Sequence, residues 1–118
     1  MASAQSPSVT AFSVTATPLD SAIIPESYIV LRGIPLVEYG RQFTDERGLA
    51  REISPHAPVA LLQNDAVLTT GATLTQAFDR LEVAEFSASA ILNAMKLGVI
   101  ARIDAAALDA IAVKFGLV

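Results

Sequence analysis

The sequence predicts a mixed α/β fold, a sheet with helices packed on it. Three observations carry that expectation. Two short apolar runs, Ala60-Leu61-Leu62 and 66–70, are separated by Gln63-Asn64-Asp65, residue types that accept turn geometry, so they form a hairpin. The longest helical pattern in the chain follows directly, from Leu74 to Gly98. Upstream, a helical stretch and a further strand alternate before the hairpin is reached.

Taken in order, residues 1–7 read as a loop or the frayed end of a strand. Residues 8–15 are open between two readings. The β-branched residues favour a strand, whereas Val9, Phe12 and Ala16 fit one helical face. Thr17 to Asp20 reads as a turn, followed by the apolar run Ala22-Ile23-Ile24. Pro25 then opens a short helix, because a first-turn residue needs no N–H partner and Glu26 suits the positive helix end. That helix ends near Gly33. Ile34 to Tyr39 is a strand that Pro35 confines to an edge or a strand start. Residues 40–47 are expected as a loop, with Thr44 or Asp45 capping a helix over Gly48 to Ile53.

In the long helix, Thr73 and Gln76 have capping-box spacing. The expected buried stripe is Leu74, Phe78, Leu81, Ala88, Leu92 and Met95, interrupted by Glu85, with Gly98 as a left-handed stop. Residues 99–103 form an extended stretch. Asp104 caps a last helix, Ala105 to Phe115, with Leu108, Ile111 and Phe115 on one face and Gly116 ending it.

At 118 residues the chain reads as one domain, 1–118, large enough to bury a core. With 53% hydrophobic and 17% charged residues it is not a disordered chain. The net charge of −4 and the scattered basic residues offer no phosphate-neutralising patch, so nucleic acid is not an expected partner. No stretch has the length and apolarity of a membrane span, and no signal-peptide pattern opens the chain, so a cytoplasmic setting is expected. There is no cysteine, hence no disulfide, thiolate nucleophile or Cys-ligated metal. The apolar fraction points to a homo-oligomer or a complementing segment. The plain alternative is a monomer whose many alanines inflate the count.

Candidate chemistry is sparse. His56 is the only histidine and lies in a loop, so zinc sites built from two or three imidazoles are excluded. Ser6 and Ser13 have no histidine in sequence reach to form a triad. Gly71-Ala72-Thr73-Leu74 lacks the lysine and glycine spacing of a phosphate loop. Arg32, Arg41, Arg47 and Arg51 are able to meet an anion but read first as solvated surface. Glu82 and Glu85 share a flank of the long helix. Glu85, near the apolar stripe, is a candidate acid or base with a raised pKa, or one half of an ion pair with another element. Asn64-Asp65 is turn chemistry or, projected from a rigid hairpin, a ligand contact.

The frame from Ala60 to Gly71, followed by Leu74, Ala77 and Phe78, resembles the class II aldolase/adducin family. There an apolar run leads to Asn-His-Gly, further apolar residues, a glycine and a helix. The resemblance extends upstream: Gly33 to Tyr39 matches a Gly-apolar-Pro strand ending in Tyr, and Ser6 to Ser13 matches the segment after a His-x-His motif. It covers nearly the whole chain but only the C-terminal half of a typical family domain. It implies a three-layer α/β/α fold around a mixed, mostly antiparallel sheet, here incomplete, and a relation to carbonyl lyases of carbohydrate metabolism acting on sugar phosphates.

The resemblance also implies a divalent metal, usually zinc, held by three histidines. The matching positions here are Ser3, Gln5 and Asp65. No metal ligand and no cofactor are therefore expected, and the half carrying the phosphate loop and catalytic acid is not in the sequence. Gln5, Asn64 and Asp65 become the candidate substrate-binding residues. The expected function is that of a family protein inactive alone, completed by a second copy or a complementing aldolase-like subunit. The alternatives are a non-enzymatic oligomerisation or ligand-binding module, as in the adducin branch, and a truncated fragment of an aldolase-like enzyme.

Overall fold

The computed structural model describes residues 1–117. Its elements are β1 (Ala2–Ala4), α1 (Pro7–Val14), α2 (Pro25–Leu31), β2 (Leu36–Val37), α3 (Arg41–Thr44), α4 (Glu46–Glu52), β3 (Val59–Leu62), β4 (Val67–Thr69), α5 (Leu74–Leu97) and α6 (Ala105–Lys114). The four strands form one sheet in the order β1-β4-β3-β2. Both β1/β4 and β3/β4 are antiparallel, while β2/β3 is parallel. The parallel pair requires a crossover, and α3 and α4 supply it. The sheet is thus mixed and mostly antiparallel, as the family resemblance implies.

Strand β3 is apolar at every position because it is central and covered on both faces. Val59 and Leu61, with Val67 of β4, meet α1, α2 and α5 through Val9, Phe12, Leu31, Ala84, Ala88 and Ile91. The alternate residues Ala60 and Leu62, with Leu68 and Val37, meet only Leu49 and Ile53 of the α4 segment. The result is a three-layer arrangement with one thick and one thin helical layer.

Residues 8–15 resolve as helix through Val14. Pro7 stands in the first turn of α1, where a missing N–H costs nothing. Of the two readings open for residues 1–7, residues 2–4 take the strand, formed through pairing with β4, with Ser3 opposite Leu68. The expected loop over 40–47 contains α3, a single turn entered through Gly40 at φ 86°. Asp45 caps α4, accepting from the Gly48 N–H at 3.0 Å.

The expected stripe on α5 holds in its middle, where Ala88 is buried and Leu81 and Leu92 pack partly buried against the core, and fails at its ends. Leu74, Phe78 and Met95 are 73%, 52% and 63% exposed, whereas Ala77, Ala84, Ser87, Ala88 and Ile91 are buried. Small side chains on the buried face let the helix axis approach the sheet and its neighbours, and the larger residues fall to the flanks. Thr73 accepts from the Gln76 N–H, and Gln76 reaches back to the N–H of Ala72, one residue earlier than in a standard capping box. Gly98 ends α5 at φ 156° and ψ −149°, a glycine conformation other than the left-handed helical one expected. Residues 99–103 form no strand, though Ile103 donates its N–H to the Ala22 carbonyl at 2.9 Å. On α6, Leu108 is buried and Ile111 half-buried as expected, with Ala112 beside them, while Phe115, just past the helix's end, is more than half exposed. Among the described residues no helix is long and apolar enough to cross a membrane.

Candidate functional site

The β3–β4 turn is held by α1 and β2. Asn64 takes φ 57°, a left-handed conformation that Asn tolerates better than most residues. Its N–H donates to the Ser13 carbonyl at 3.1 Å. The Ser13 hydroxyl, wholly buried, donates to the Leu62 carbonyl at 2.7 Å and accepts the Asp65 N–H at 3.0 Å. Gln63 donates its N–H to the Val37 carbonyl at 2.9 Å. Ser13, which has no triad partner, is therefore the post that fixes the turn to α1. Nothing near it in sequence signals this role.

The turn presents Asp65 to a cavity of about 520 Å³ between the thin face of the sheet and the α3–α4 segment. Ser3, Gln42, Glu46, Leu49 and Leu68 also line it. Gln42 Nε2 donates to Asp65 Oδ2 at 2.7 Å. The other end of that amide, Gln42 Oε1, is buried and has no partner. The cavity thus combines an apolar floor with oxygen acceptors: Asp65, Glu46, the Ser3 hydroxyl and the Gln42 carbonyl.

Of the residues singled out from the sequence, Ser3 and Asp65 come together here. Gln5 lies exposed beyond the end of β1, and Asn64 is exposed on the turn; neither lines the cavity. Gln42 and Glu46 fall in a stretch without recognisable pattern, so sequence reasoning misses them. Among the described residues, no group of three or more His, Cys, Asp or Glu is placed to hold a metal ion. The cavity offers two carboxylates, Asp65 (already bonded to an amide) and Glu46, with a serine hydroxyl and no imidazole, which falls short of the three nitrogen, sulfur or carboxylate ligands that even an open zinc site uses.

Glu85 is not a carboxyl with a raised pKa. Its Oε1 accepts from the N–H groups of Ser8 and Val9 at 3.0 and 3.2 Å, and its Oε2 from Ser8 at 3.2 Å. These are the donors left open at the start of α1, whose N-cap, Ser6, makes no side-chain cap bond. Burial raises the pKa of Glu85. The Ser8 and Ser6 side chains and the N–H groups of Val9 and Ser8 outweigh it, so the pKa lies below its ordinary 4.5. A carboxylate on α5 therefore caps α1 across the fold, in place of the basic partner expected. Glu82 is exposed. Arg41 bridges Asp45 at 3.3 Å and Glu52 at 2.6 Å, tying α3 to α4. His56 is exposed, its Nδ1 3.4 Å from Arg32 Nη1.

A mixed sheet with helices on both faces and a cavity beside the β3–β4 turn make this a layered α/β protein. Residues 4–92 match the class II aldolase and adducin N-terminal domain, and the chain belongs to that family. L-fuculose 1-phosphate aldolase superposes with a TM-score of 0.77 at 21% identity, over 97% of this chain and 54% of its own. YgbL of Klebsiella pneumoniae, described as a putative aldolase/epimerase/decarboxylase, superposes with a TM-score of 0.67 at 28% identity. That match covers 90% of this chain and 53% of YgbL. The chain thus spans about half the length of the solved structures it matches. No curated protein matches it significantly.

Proposed function

We propose that this chain, read as one domain over 1–118, is a ligand-binding module with the class II aldolase fold that does not itself carry out metal-dependent carbon–carbon cleavage. One observation carries this reading. Asp65 lines the cavity where the family frame has a metal-binding histidine, and its carboxylate is held by Gln42. Ser3, at a second such position, lines the same cavity. Retro-aldol cleavage needs an electrophile to stabilise the enediolate, and zinc supplies it through imidazole ligands in the family. One carboxylate, one hydroxyl and a displaced Gln5 do not fit zinc. No step of a reaction is derived through it.

The acceptor-lined cavity suits a ligand that brings hydroxyl donors on a partly apolar body, such as the polyol part of a sugar derivative. Asp65 is its main anchor, with Gln42 Oε1 available for a second bond. Calorimetric titration with simple polyols and sugars tests this reading. Binding that Asp65→Ala abolishes supports it; catalysis of aldol cleavage by the purified chain contradicts it.

A second reading, completion by another copy or an aldolase-like subunit, is supported by exposed apolar side chains. Leu74, Phe78, Phe86 and Met95 of α5 are all more than half exposed, a pattern that favours burial by a further surface. Light scattering across a concentration series tests it. A mass that stays at one chain, with no gain of activity on mixing with a family N-terminal half, counts against it.

A further inference from the structure

A second cavity, of about 510 Å³, opens where α2 ends and α5 begins. Arg32, Ser54, Gly71, Gln76 and Arg80 line it, and its lining contains no aspartate or glutamate. In a chain of net charge −4, a carboxylate-free cavity holding two guanidinium groups is unexpected on composition alone. We propose that this cavity binds the oxyanion group of a small molecule, a phosphate monoester or a carboxylate, between Arg32 and Arg80.

Neither arginine takes part in an ion pair among the described residues, where the pairs are made by Arg41 and Arg102. Arg32 Nε is buried and bonded to nothing, and Arg32 Nη1 has only the contact with His56. Arg80 spends Nη1 on the Thr70 carbonyl at 2.6 Å, which fixes its guanidinium and leaves its other N–H groups available. The two charges sense one another: burial, and then repulsion from Arg32, lower the Arg80 pKa. An anion between them removes that repulsion and satisfies the orphaned Nε. Guanidinium forks match phosphate and carboxylate oxygens with paired hydrogen bonds.

The residue that carries the first guanidinium is itself fixed at its backbone. Arg32 is held at φ 59° and ψ −148°, a conformation non-glycine residues rarely adopt, and its carbonyl accepts from Ser21 Oγ at 2.5 Å. The cavity shares Ile53 and Thr70 with the Asp65 cavity but none of its acceptors. The site stands whether or not a polyol binds beside Asp65.

The test titrates the intact, arginine-¹⁵N-labelled chain with inorganic phosphate, and separately with acetate, at constant ionic strength made up with chloride. The arginine Nε–H resonances are followed by NMR. Arg32 and Arg80 are expected to shift together and saturably, while Arg47 and Arg51 stay unmoved. Saturation by phosphate alone marks a phosphate ligand, and by acetate alone a carboxylate ligand. Arg32→Gln is expected to weaken binding by about tenfold or more, and Arg32→Lys to recover part of it. The wild-type resonances decide between binding and no binding even if a variant fails to fold. Equal, unsaturated shifts of all arginines, or unchanged affinity in folded Arg32→Gln, overturn the proposal.

Discussion

Replacing Glu85 tests whether a side chain from one helix caps another across the fold. Glu85→Ala removes the acceptor of two N–H groups at the start of α1, those of Ser8 and Val9. Pro7 has no N–H, and Thr10 donates to the Ser6 carbonyl at 2.9 Å, so Glu85 satisfies what remains of that helix end. Loss of an N-cap costs about 0.5–2 kcal/mol, and hydrogen bonds to charged groups contribute about 1.5–3 kcal/mol. The carboxylate is partly solvated, which screens its charge, so Glu85→Ala is expected to cost about 2 kcal/mol. Glu85→Gln keeps an acceptor and loses the charge, at about 1 kcal/mol. With an unfolding entropy of roughly 2.1 cal/mol/K per residue, these correspond to falls in Tm of about 8 °C and about 4 °C.

The pH dependence has a definite sign. The folded pKa of Glu85 is depressed, so its contribution is complete above the ordinary value of 4.5 and is lost as pH falls through the folded value. Urea unfolding followed by circular dichroism at neutral pH and near pH 3 measures it. The gap between wild type and Glu85→Gln closes in acid. Equal stabilities at neutral pH, or a gap that survives acidification, refute the cap.

Other perturbations probe the packing and the site. Ser27 and Ser87 share a buried 2.6 Å hydrogen bond, and Ser87 also donates to the Val83 carbonyl at 2.7 Å. Ser87→Ala strands the Ser27 hydroxyl and is expected to cost about 1–2 kcal/mol, while Ser27→Ala costs less; urea titration ranks them. A Cβ on Gly71 would lie 2.8 Å from the Ala77 nitrogen, so Gly71→Ala is expected to lose about 1–3 kcal/mol in the same assay. The triple variant Ser3→His, Gln5→His, Asp65→His restores the imidazoles of the family frame. At zinc about 100-fold above its dissociation constant it is expected to gain about 2.7 kcal/mol, read as a rise in Tm. No response to zinc would mean that these positions do not correspond to the family's ligands.

The hairpin and the caps at Thr73 and Asp104 are legible in the sequence because turn and cap chemistry is local. The face of α5 is legible only in part. The expected stripe gets Ala88 right, but counting large apolar residues also places Leu74, Phe78 and Met95 inward, where close helix packing selects Ala77 and Ala84 for the buried side. Residues 1–7 leave loop and strand end open, because strand β1 draws its form from β4, far along the chain. At the site, Asp65 stands out because a frame of motifs surrounds it. Gln42 and Ser13, which position it, act over long sequence separations and carry no motif. Glu85 stands out as a polar residue near an apolar stripe. Its partner is backbone at a helix end, a donor that sequence does not display.

The most direct test of the central reading is the zinc content of the wild-type chain. Equilibrium dialysis against zinc, followed by elemental analysis and a thermal melt, measures both occupancy and its coupling to folding. The reading predicts occupancy well below one zinc per chain and an unmoved Tm. Stoichiometric zinc with a rise in Tm that Asp65→Ala removes would contradict it.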